Sequence, residues 1–252
     1  MNKIALITGA TAGIGEATAR RFYSGGYDVI ITGRRSDRLQ QLSDELTAQG
    51  ANQVYTLNFD IRSSGAVESA LLSLPEAWRN IDVLVNNAGL SRGLGPVDEG
   101  LLSDWEEMID ANVKGLLYVT RIVSGWMKAR QAGHIINVGS TAAKEVYPGG
   151  NVYCATKHAV DALTRAMRID FVHLRLKVSA VHPGYVDTEF STVRFHGDTE
   201  RAKKVYEGFR PLSGADVAEV IYWMAIAPEH VNIADVVLLP AAQGGVGVVR
   251  RD

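Results

Sequence analysis

The strongest constraint on the fold is a regular alternation of short apolar runs with longer segments of helical periodicity. The first run, residues 4–7, is followed by a helical segment over 13–25 and by a second run at 29–31. The runs are apolar at successive positions, which is typical of strands buried on both faces of a parallel sheet. Repetition of this unit predicts an α/β protein with a doubly wound (Rossmann) parallel sheet between two layers of helices.

The same pattern predicts seven strands in a single domain over residues 1–252, a length that one α/β domain accommodates. Strands are predicted at 4–7, 29–31, 53–57, 82–85, 134–138, 177–181 and 233–239. Helices are predicted at 13–25, 36–46 with Ser36 as N-cap, 64–74, 101–130 with a break near Gly115, 153–174 and 214–226. The polar stretch 189–212 is predicted to be an irregular substrate lid, and 240–252 a C-terminal tail.

Composition excludes several classes of protein. The 26 basic and 28 acidic residues give a net charge of −2, which argues against a nucleic-acid or anionic-membrane partner. The six histidines show no metal-binding spacing, so no metal site is predicted. The single cysteine, Cys154, permits no internal disulfide. With no apolar run near ~18 residues and no signal-peptide pattern, we expect a cytoplasmic protein.

A glycine-rich turn follows the first predicted strand and reads TGATAGIG over residues 8–15. Glycines here allow a tight turn and a close approach to a pyrophosphate, whose charge is favoured at the N-terminus of the next helix. A Walker loop is excluded because no Lys-Ser/Thr pair follows the last glycine. The alternative is a turn that only packs helix on strand. The candidate cofactor-binding residues are Gly9, Thr11, Ala12, Gly13, Ile14 and Gly15.

The end of the second strand indicates which dinucleotide is bound. NAD-binding proteins usually place an acidic residue there, which hydrogen-bonds the ribose 2′-hydroxyl. This chain has Arg34 and Arg35, whose guanidinium groups suit a phosphate. The pair favours NADP(H) over NAD, and a solvated pair of arginines beside a helix start is the alternative. The ends of the third and fourth strands add the candidates Asp60, Ile61, Asn87, Ala88 and Gly89.

Ser140, Tyr153 and Lys157 form a candidate catalytic set. Tyr153 and Lys157 are four residues apart on one predicted helix and share a face. A free tyrosine has a pKa of ~10, too high for proton transfer near neutral pH. An ammonium ~4 Å away contributes up to ~4 kcal/mol at an effective dielectric constant of ~20, about three pKa units. A helix-surface pair with an unrelated loop serine is the alternative.

With these motifs the chain resembles the short-chain dehydrogenase/reductase family. The resemblance implies hydride transfer between NADP(H) and a carbonyl/alcohol pair, with Tyr153 as acid/base and Ser140 orienting the carbonyl. It implies that Lys157 binds the nicotinamide ribose and lowers the tyrosine pKa, and that Asn112 supports a proton-relay water. Family members also suggest a homotetramer. The nicotinamide carboxamide would be held by Pro183, Gly184, Val186 and Thr188.

Further segments resemble one branch of this family, the bacterial NADP-dependent 3-hydroxy acid (serine) dehydrogenases. These segments are GNVY at 150–153, TEFS at 188–191, VRF at 193–195, HVNI at 230–233 and Pro240-x-x-Gln243. The resemblance implies a small anionic substrate such as serine or 3-hydroxypropionate. We predict that Arg194 pairs with its anionic group and that Tyr147 and Tyr185 line the pocket, although Arg194 as an ordinary surface residue remains open.

Two other functions remain compatible with the sequence. Sulfoacetaldehyde reductases share much of the same pattern, so reduction of sulfoacetaldehyde to isethionate is one alternative. A non-catalytic NADP-binding sensor is the other, although a sensor has no need of the acid/base set. The resemblance also implies that the tail beyond Pro240 reaches a neighbouring subunit, with a frayed terminus as the alternative.

Overall fold

The computed structural model describes residues 2–252 and contains a seven-stranded sheet whose paired strands are all parallel. The strand order is β3-β2-β1-β4-β5-β6-β7. This order confirms the predicted doubly wound parallel sheet. The strands are β1 (Ile4–Ile7), β2 (Asp28–Gly33), β3 (Val54–Asn58), β4 (Ile81–Asn86), β5 (Gly133–Val138), β6 (Leu176–Pro183) and β7 (Asp235–Leu238).

Helices cover both faces of the sheet and join successive strands. Within residues 2–252, no helix combines the length and the apolar character needed to cross a membrane. The helices are α1 (Gly13–Ser24), α2 (Ser36–Thr47), α3 (Ser64–Leu72), α4 (Leu102–Ile109), α5 (Leu116–Arg130), α6 (Asn151–Phe171), α7 (Phe190–Arg194), α8 (Thr199–Lys204) and α9 (Gly214–Ala225).

Two apolar cores explain why the strands are apolar at successive positions. In β1, Ala5 and Ile7 pack in the core beneath α1, α2 and α9. Ile4 and Leu6 pack in the opposite core beneath α3, α5 and α6. Since neighbouring residues of a strand point to opposite faces, both sets must be apolar when both faces are covered.

The strand order reverses at β1, which lies between β2 and β4. The connections leaving β1 and β4 therefore run to opposite sides of the sheet and diverge at its carboxyl edge. Such a divergence opens a crevice at the strand ends, where ligands of open α/β sheets bind. This geometry brings together the glycine-rich turn after β1, the arginines after β2 and the small residues after β4.

The predicted break near Gly115 is confirmed as a π-helical turn, Asp110–Gly115, between α4 and α5. Two other local predictions are wrong. Ser36 is the first residue of α2 and Arg35 holds the N-cap position without a side-chain cap bond. The segment 189–212 contains α7 and α8, and the latter is stabilised because the Asp198 side chain caps its first turn.

The tail is ordered by contacts with its own chain. β8 (Gln243–Gly245) and β9 (Val248–Val249) form an antiparallel hairpin. Beyond it, the Arg251 guanidinium lies 5.1 Å from the ring centre of Phe209. The tail therefore packs against the segment 189–212 of its own chain and is not frayed, and its reach to a neighbouring subunit stays a prediction.

Candidate active site

A cleft of about 470 Å³ opens at the carboxyl edge of the sheet. It brings together almost all of the residues predicted from the sequence. Gly15 and Asn112 are the two predicted residues that do not line it. The predicted residues that line the cleft are Gly9, Thr11, Ala12, Gly13, Ile14, Arg34, Arg35, Asp60, Ile61, Asn87, Ala88, Gly89, Ser140, Tyr147, Tyr153, Lys157, Pro183, Gly184, Tyr185, Val186, Thr188 and Arg194.

The glycine-rich turn has the geometry of a pyrophosphate cradle. Gly9 and Gly13 have φ angles of +68° and +56°, in the left-handed region that favours glycine. Ala12, at the N-cap of α1, offers no side-chain acceptor to the first amides of the helix. Those amides therefore remain available to an anion in the cleft. Gly15 acts through packing, since a Cβ there would lie 2.3 Å from the carbonyl oxygen of Gly9.

Arg34 and Arg35 line the cleft after β2, and Arg35 is held by the carboxylate of Glu189 in the segment 189–212. Arg35 donates to the Thr11 hydroxyl at 3.1 Å and to Glu189 at 2.8 Å. Arg38, one turn into α2, donates to the other oxygen of Glu189 at 2.5 Å. Arg34 is half-exposed and approaches Asp60 only to 3.7 Å. Sequence reasoning missed Arg38 and Glu189, although Arg38 follows Arg35 at the spacing of one helical turn.

Asp60 is already paired within the chain. Arg62 donates to its two oxygens at 3.0 and 2.6 Å. Burial opposes ionisation, but these hydrogen bonds hold the pKa of Asp60 below its ordinary value. Because Asp60 is an ionised acceptor already bonded to Arg62, it is suited to accept a hydrogen bond from a base amino group at the cleft wall.

The loop after β6 closes the opposite end of the cleft. The backbone N–H of Tyr185 donates to the Gln243 side chain at 3.0 Å. A Cβ on Gly184 would lie 2.0 Å from the same amide oxygen, so glycine is required where the tail meets this loop. Across the cleft, Thr188 lies against Gly13. Gln243 positions the loop, and its only sequence signal was its place in the Pro240-x-x-Gln243 segment.

The catalytic candidates converge on one wall of the cleft. The Ser140 hydroxyl oxygen accepts from the Ala142 N–H at 3.1 Å, and its own hydrogen is directed at Tyr153 on the same wall of the cleft. Lys157 donates to the Val138 carbonyl at 2.9 Å. Two of its three ammonium hydrogens remain for a ligand. This arrangement suits one group orienting a carbonyl and another binding ribose hydroxyls.

Asn112 lies outside this wall, in the π-helical turn. Its side chain accepts from the Leu90 N–H and donates to the Leu90 carbonyl, both at 2.8 Å. It also donates to the Thr156 hydroxyl at 3.0 Å. These bonds fix the strand-end loop after β4 against α6. The side chain of Asn112 is thus used within the fold, and its support of a relay water stays a prediction.

The charges around Tyr153 include a cation besides the predicted Lys157. Burial raises the pKa of Tyr153 to about 12, while the Arg194 cation and the Ser140 hydroxyl lower it. The Lys157 nitrogen is 5.9 Å from the centre of the tyrosine ring. Burial also lowers the pKa of Lys157 to about 8. Arg194 is therefore the cation that most favours the tyrosinate in the unliganded site.

Arg194, the last residue of α7, reaches into the cleft beside Tyr153. It donates to the Ser91 hydroxyl at 2.9 Å and to the Tyr147 hydroxyl at 2.5 Å. Its guanidinium carbon lies 5.2 Å from the centre of the Tyr153 ring. A cation held by neutral hydroxyls at the reacting end of a cleft is suited to bind an anionic group.

The fold, the phosphate-binding turn and the Ser-Tyr-Lys wall define a dinucleotide-dependent oxidoreductase. A family model for short chain dehydrogenases matches residues 3–198. The chain belongs to this short-chain dehydrogenase family, as its sequence motifs predicted.

Similar proteins place the chain within the family. It is 50% identical over 246 residues to an NADP-dependent 3-hydroxy acid dehydrogenase of Salmonella typhi, covering 97% of this chain and 98% of that protein. It is 41% identical over 247 residues to a serine 3-dehydrogenase of Agrobacterium fabrum, covering 98% and 97%. A closed form of serine dehydrogenase complexed with NADP+ superposes with a TM-score of 0.92 at 47% identity, covering 98% and 100% of the two chains.

Proposed function

We propose that this protein is an NADP-dependent dehydrogenase that interconverts a small 3-hydroxy acid, of the serine or 3-hydroxypropionate type, with its semialdehyde or ketone. The observation that carries the substrate class is the position of Arg194, whose guanidinium is clamped by Ser91 and Tyr147 and lies 5.2 Å from the Tyr153 ring centre. If the carboxylate of a substrate pairs with Arg194, the carbon that carries its hydroxyl group can lie near Tyr153 only when the molecule is short. The names of the similar proteins support the same class.

The choice of NADP rests on the charge at the end of β2. Arg34 and Arg35 line the cleft, and Arg38 shares an acceptor with Arg35. Three guanidinium groups in one region suit a 2′-phosphate, and no acidic residue stands directly at the end of β2, where a 2′-hydroxyl would require one. The NADP+ complex of the similar serine dehydrogenase supports this choice.

Each catalytic residue then has a defined task. NADPH held in the cleft would supply a hydride for the carbonyl carbon. Ser140 turns its hydroxyl hydrogen from Tyr153 to the carbonyl oxygen of the substrate and fixes the orientation of that carbonyl. Tyr153 transfers its phenolic proton to that oxygen, and in the reverse direction the tyrosinate accepts it. Lys157 holds the cofactor ribose with its two free ammonium hydrogens.

We also propose that residues 189–212 act as the substrate lid and that the chain works as a cytoplasmic homotetramer. The lid contributes Arg194 and Glu189 to the cleft. Exposed apolar side chains on the helical layer, including Leu102, Leu117 and Ile169, support association with further copies. Sedimentation equilibrium tests the oligomer, and a monomer at micromolar concentration would contradict it.

The test is a substrate panel on wild type and Arg194→Gln. L-Serine and 3-hydroxypropionate are compared with the neutral propane-1,3-diol, and semialdehydes with sulfoacetaldehyde, each with NADP(H) and NAD(H). We expect Arg194→Gln to raise KM for the acids at least ~10-fold, as for a lost charged hydrogen bond, and to leave KM for the diol unchanged. Arg201→Gln, a lid arginine stacked on Phe195, is the matched control.

Unchanged KM for the acids in Arg194→Gln would overturn the proposal. A preference for sulfoacetaldehyde over malonic semialdehyde would assign the sulfonate instead. Absence of turnover with every substrate, combined with tight cofactor binding, would favour the non-catalytic sensor.

A further inference from the structure

Arg194 occupies an unusual electrostatic position for a substrate ligand. Its guanidinium lies 5.2 Å from the ring centre of the tyrosine that carries the proton. In the part of the chain that the structure describes, its hydrogen bonds go to two neutral hydroxyls, those of Ser91 and Tyr147, and not to a carboxylate. The full positive charge of Arg194 therefore acts on Tyr153 until an anion arrives.

The other groups around Tyr153 carry less charge or lie further away. Tyr147, in the loop before α6, and Cys154, on α6 itself, both disfavour the tyrosinate, and Ser140 after β5 favours it by hydrogen bonding. Lys157, also on α6, is 5.9 Å from the ring centre and is bonded to the Val138 carbonyl. Among the described residues, Arg194 on α7 is thus the cation near Tyr153 whose hydrogen bonds leave its charge uncompensated.

We propose that Arg194 couples the charge of the substrate to the proton of Tyr153. This inference rests on the proposed function in one respect, that the substrate is an anion. In the cofactor complex without substrate, the guanidinium favours the tyrosinate. When a carboxylate pairs with Arg194, that support is withdrawn and the protonated hydroxyl is favoured.

The coupling serves both directions of the reaction. In reduction, the hydride brings an electron pair to the carbonyl carbon while the phenolic O–H bond breaks and its proton goes to the carbonyl oxygen. A tyrosine kept protonated by the bound anion is ready as that acid. In oxidation, the hydroxyl proton passes to the tyrosinate, whose basicity has been increased by the same anion. A neutral substrate does not compensate the charge of Arg194, so it favours neither the protonated tyrosine nor a more basic tyrosinate.

Coulomb's law sets the size of the effect. Two unit charges about 5 Å apart at an effective dielectric constant of ~20 interact by about 3 kcal/mol and shift a proton equilibrium by up to about two pH units. A bound carboxylate at the guanidinium offsets most of this. We therefore expect binding of an unreactive dicarboxylate to take up a fraction of a proton near the kinetic pKa of the cofactor complex.

The first experiment measures that proton without turnover. Malonate is titrated calorimetrically into the NADP+ complex in two buffers of different ionisation enthalpy, and the difference in heat gives the proton uptake. We expect wild type to take up protons over the pH range in which Tyr153 titrates, and Tyr153→Phe to bind malonate without uptake. Equal uptake by wild type and Tyr153→Phe would overturn the proposal.

The second experiment separates the coupling from the substrate assignment. Propane-1,3-diol carries no charge, so its pH profile of kcat/KM reports the direct effect of Arg194 on Tyr153. We expect Arg194→Gln to shift the kinetic pKa upward by up to about two units and Arg194→Lys to restore part of the shift. An unchanged pKa in Arg194→Gln would overturn the coupling even where the acids remain the substrates. Failure of wild type to bind malonate, with the pKa shift present, would contradict only the proposed substrate.

Discussion

The guanidinium of Arg35 at the end of β2 is bonded at 2.8 Å to the carboxylate of Glu189, the residue directly before lid helix α7. Arg38 bonds the second oxygen of the same carboxylate at 2.5 Å. A lid residue therefore occupies two of the donors that the proposed 2′-phosphate would use. Since carboxylate and phosphate are both anions, they compete for these arginines.

This competition predicts that Glu189→Gln binds NADP+ more tightly. The two ion pairs are partly exposed, so their loss releases about 1 kcal/mol, equivalent to about a 3- to 10-fold fall in Kd. Affinity for NAD+ should not change, because NAD+ has no phosphate at this position. Fluorescence titration measures both, and Glu200→Gln on α8, whose partner is Lys203, is the control. Weaker NADP+ binding in Glu189→Gln would show that the carboxylate supports the cofactor instead.

Removal of the phenolic oxygen of Tyr153 should separate chemistry from binding. Phenylalanine keeps the ring, which packs 5.6 Å from Phe190, and loses the acid/base group. We expect kcat to fall by about 10²- to 10⁴-fold, the usual contribution of a general acid–base. The Kd of NADP+ should stay within about twofold, and Tyr118→Phe on α5 should behave as wild type. Turnover at the wild-type rate would refute the assigned role of Tyr153.

The sequence predicted the sheet, the helices and the strand-end motifs because these depend on local periodicity. Three features escaped it because they join distant positions. Glu189 meets Arg35 across 154 residues, and Gln243 meets Tyr185 across 58. The third is the pKa of Tyr153, which burial raises by more than the neighbouring cation lowers it. Burial depends on the whole tertiary structure, so residue spacing alone favoured Lys157 over Arg194 as the tuning group.

Lys157 should make stability depend on pH in the alkaline range. Burial lowers its pKa to about 8 from an ordinary value near 10.5, so the unfolded state binds the proton more tightly. Between these values the unfolded chain carries more protons, and the free energy of unfolding rises with pH. Relative to Lys157→Met, wild type should gain about 3 kcal/mol from pH 7 to pH 10.5.

Urea unfolding of the cofactor-free protein at several pH values measures this difference. The methionine variant loses the bond to the Val138 carbonyl at every pH, so that loss cancels in the pH dependence. Lys203→Met, an exposed lysine, controls for the change in net charge. A difference between wild type and Lys157→Met that stays constant with pH would contradict the depressed pKa.

Gly15 should be a packing residue of the cofactor turn. A Cβ there would lie 2.3 Å from the Gly9 carbonyl oxygen and 2.4 Å from the Asn87 side chain, so Gly15→Ala must displace the turn or the first part of α1. We expect a loss of about 2–3 kcal/mol, as for an overpacked core, and a fall in Tm of about 5–10 °C.

Gly65→Ala on α3 meets no atom within 4 Å and should gain about 0.5–1 kcal/mol from helix propensity. Thermal unfolding of the two variants compares them directly. Because a displaced turn also loses its amide geometry, NADP+ affinity should fall in Gly15→Ala alone, and equal stability of the two variants would show that the turn adapts to a side chain.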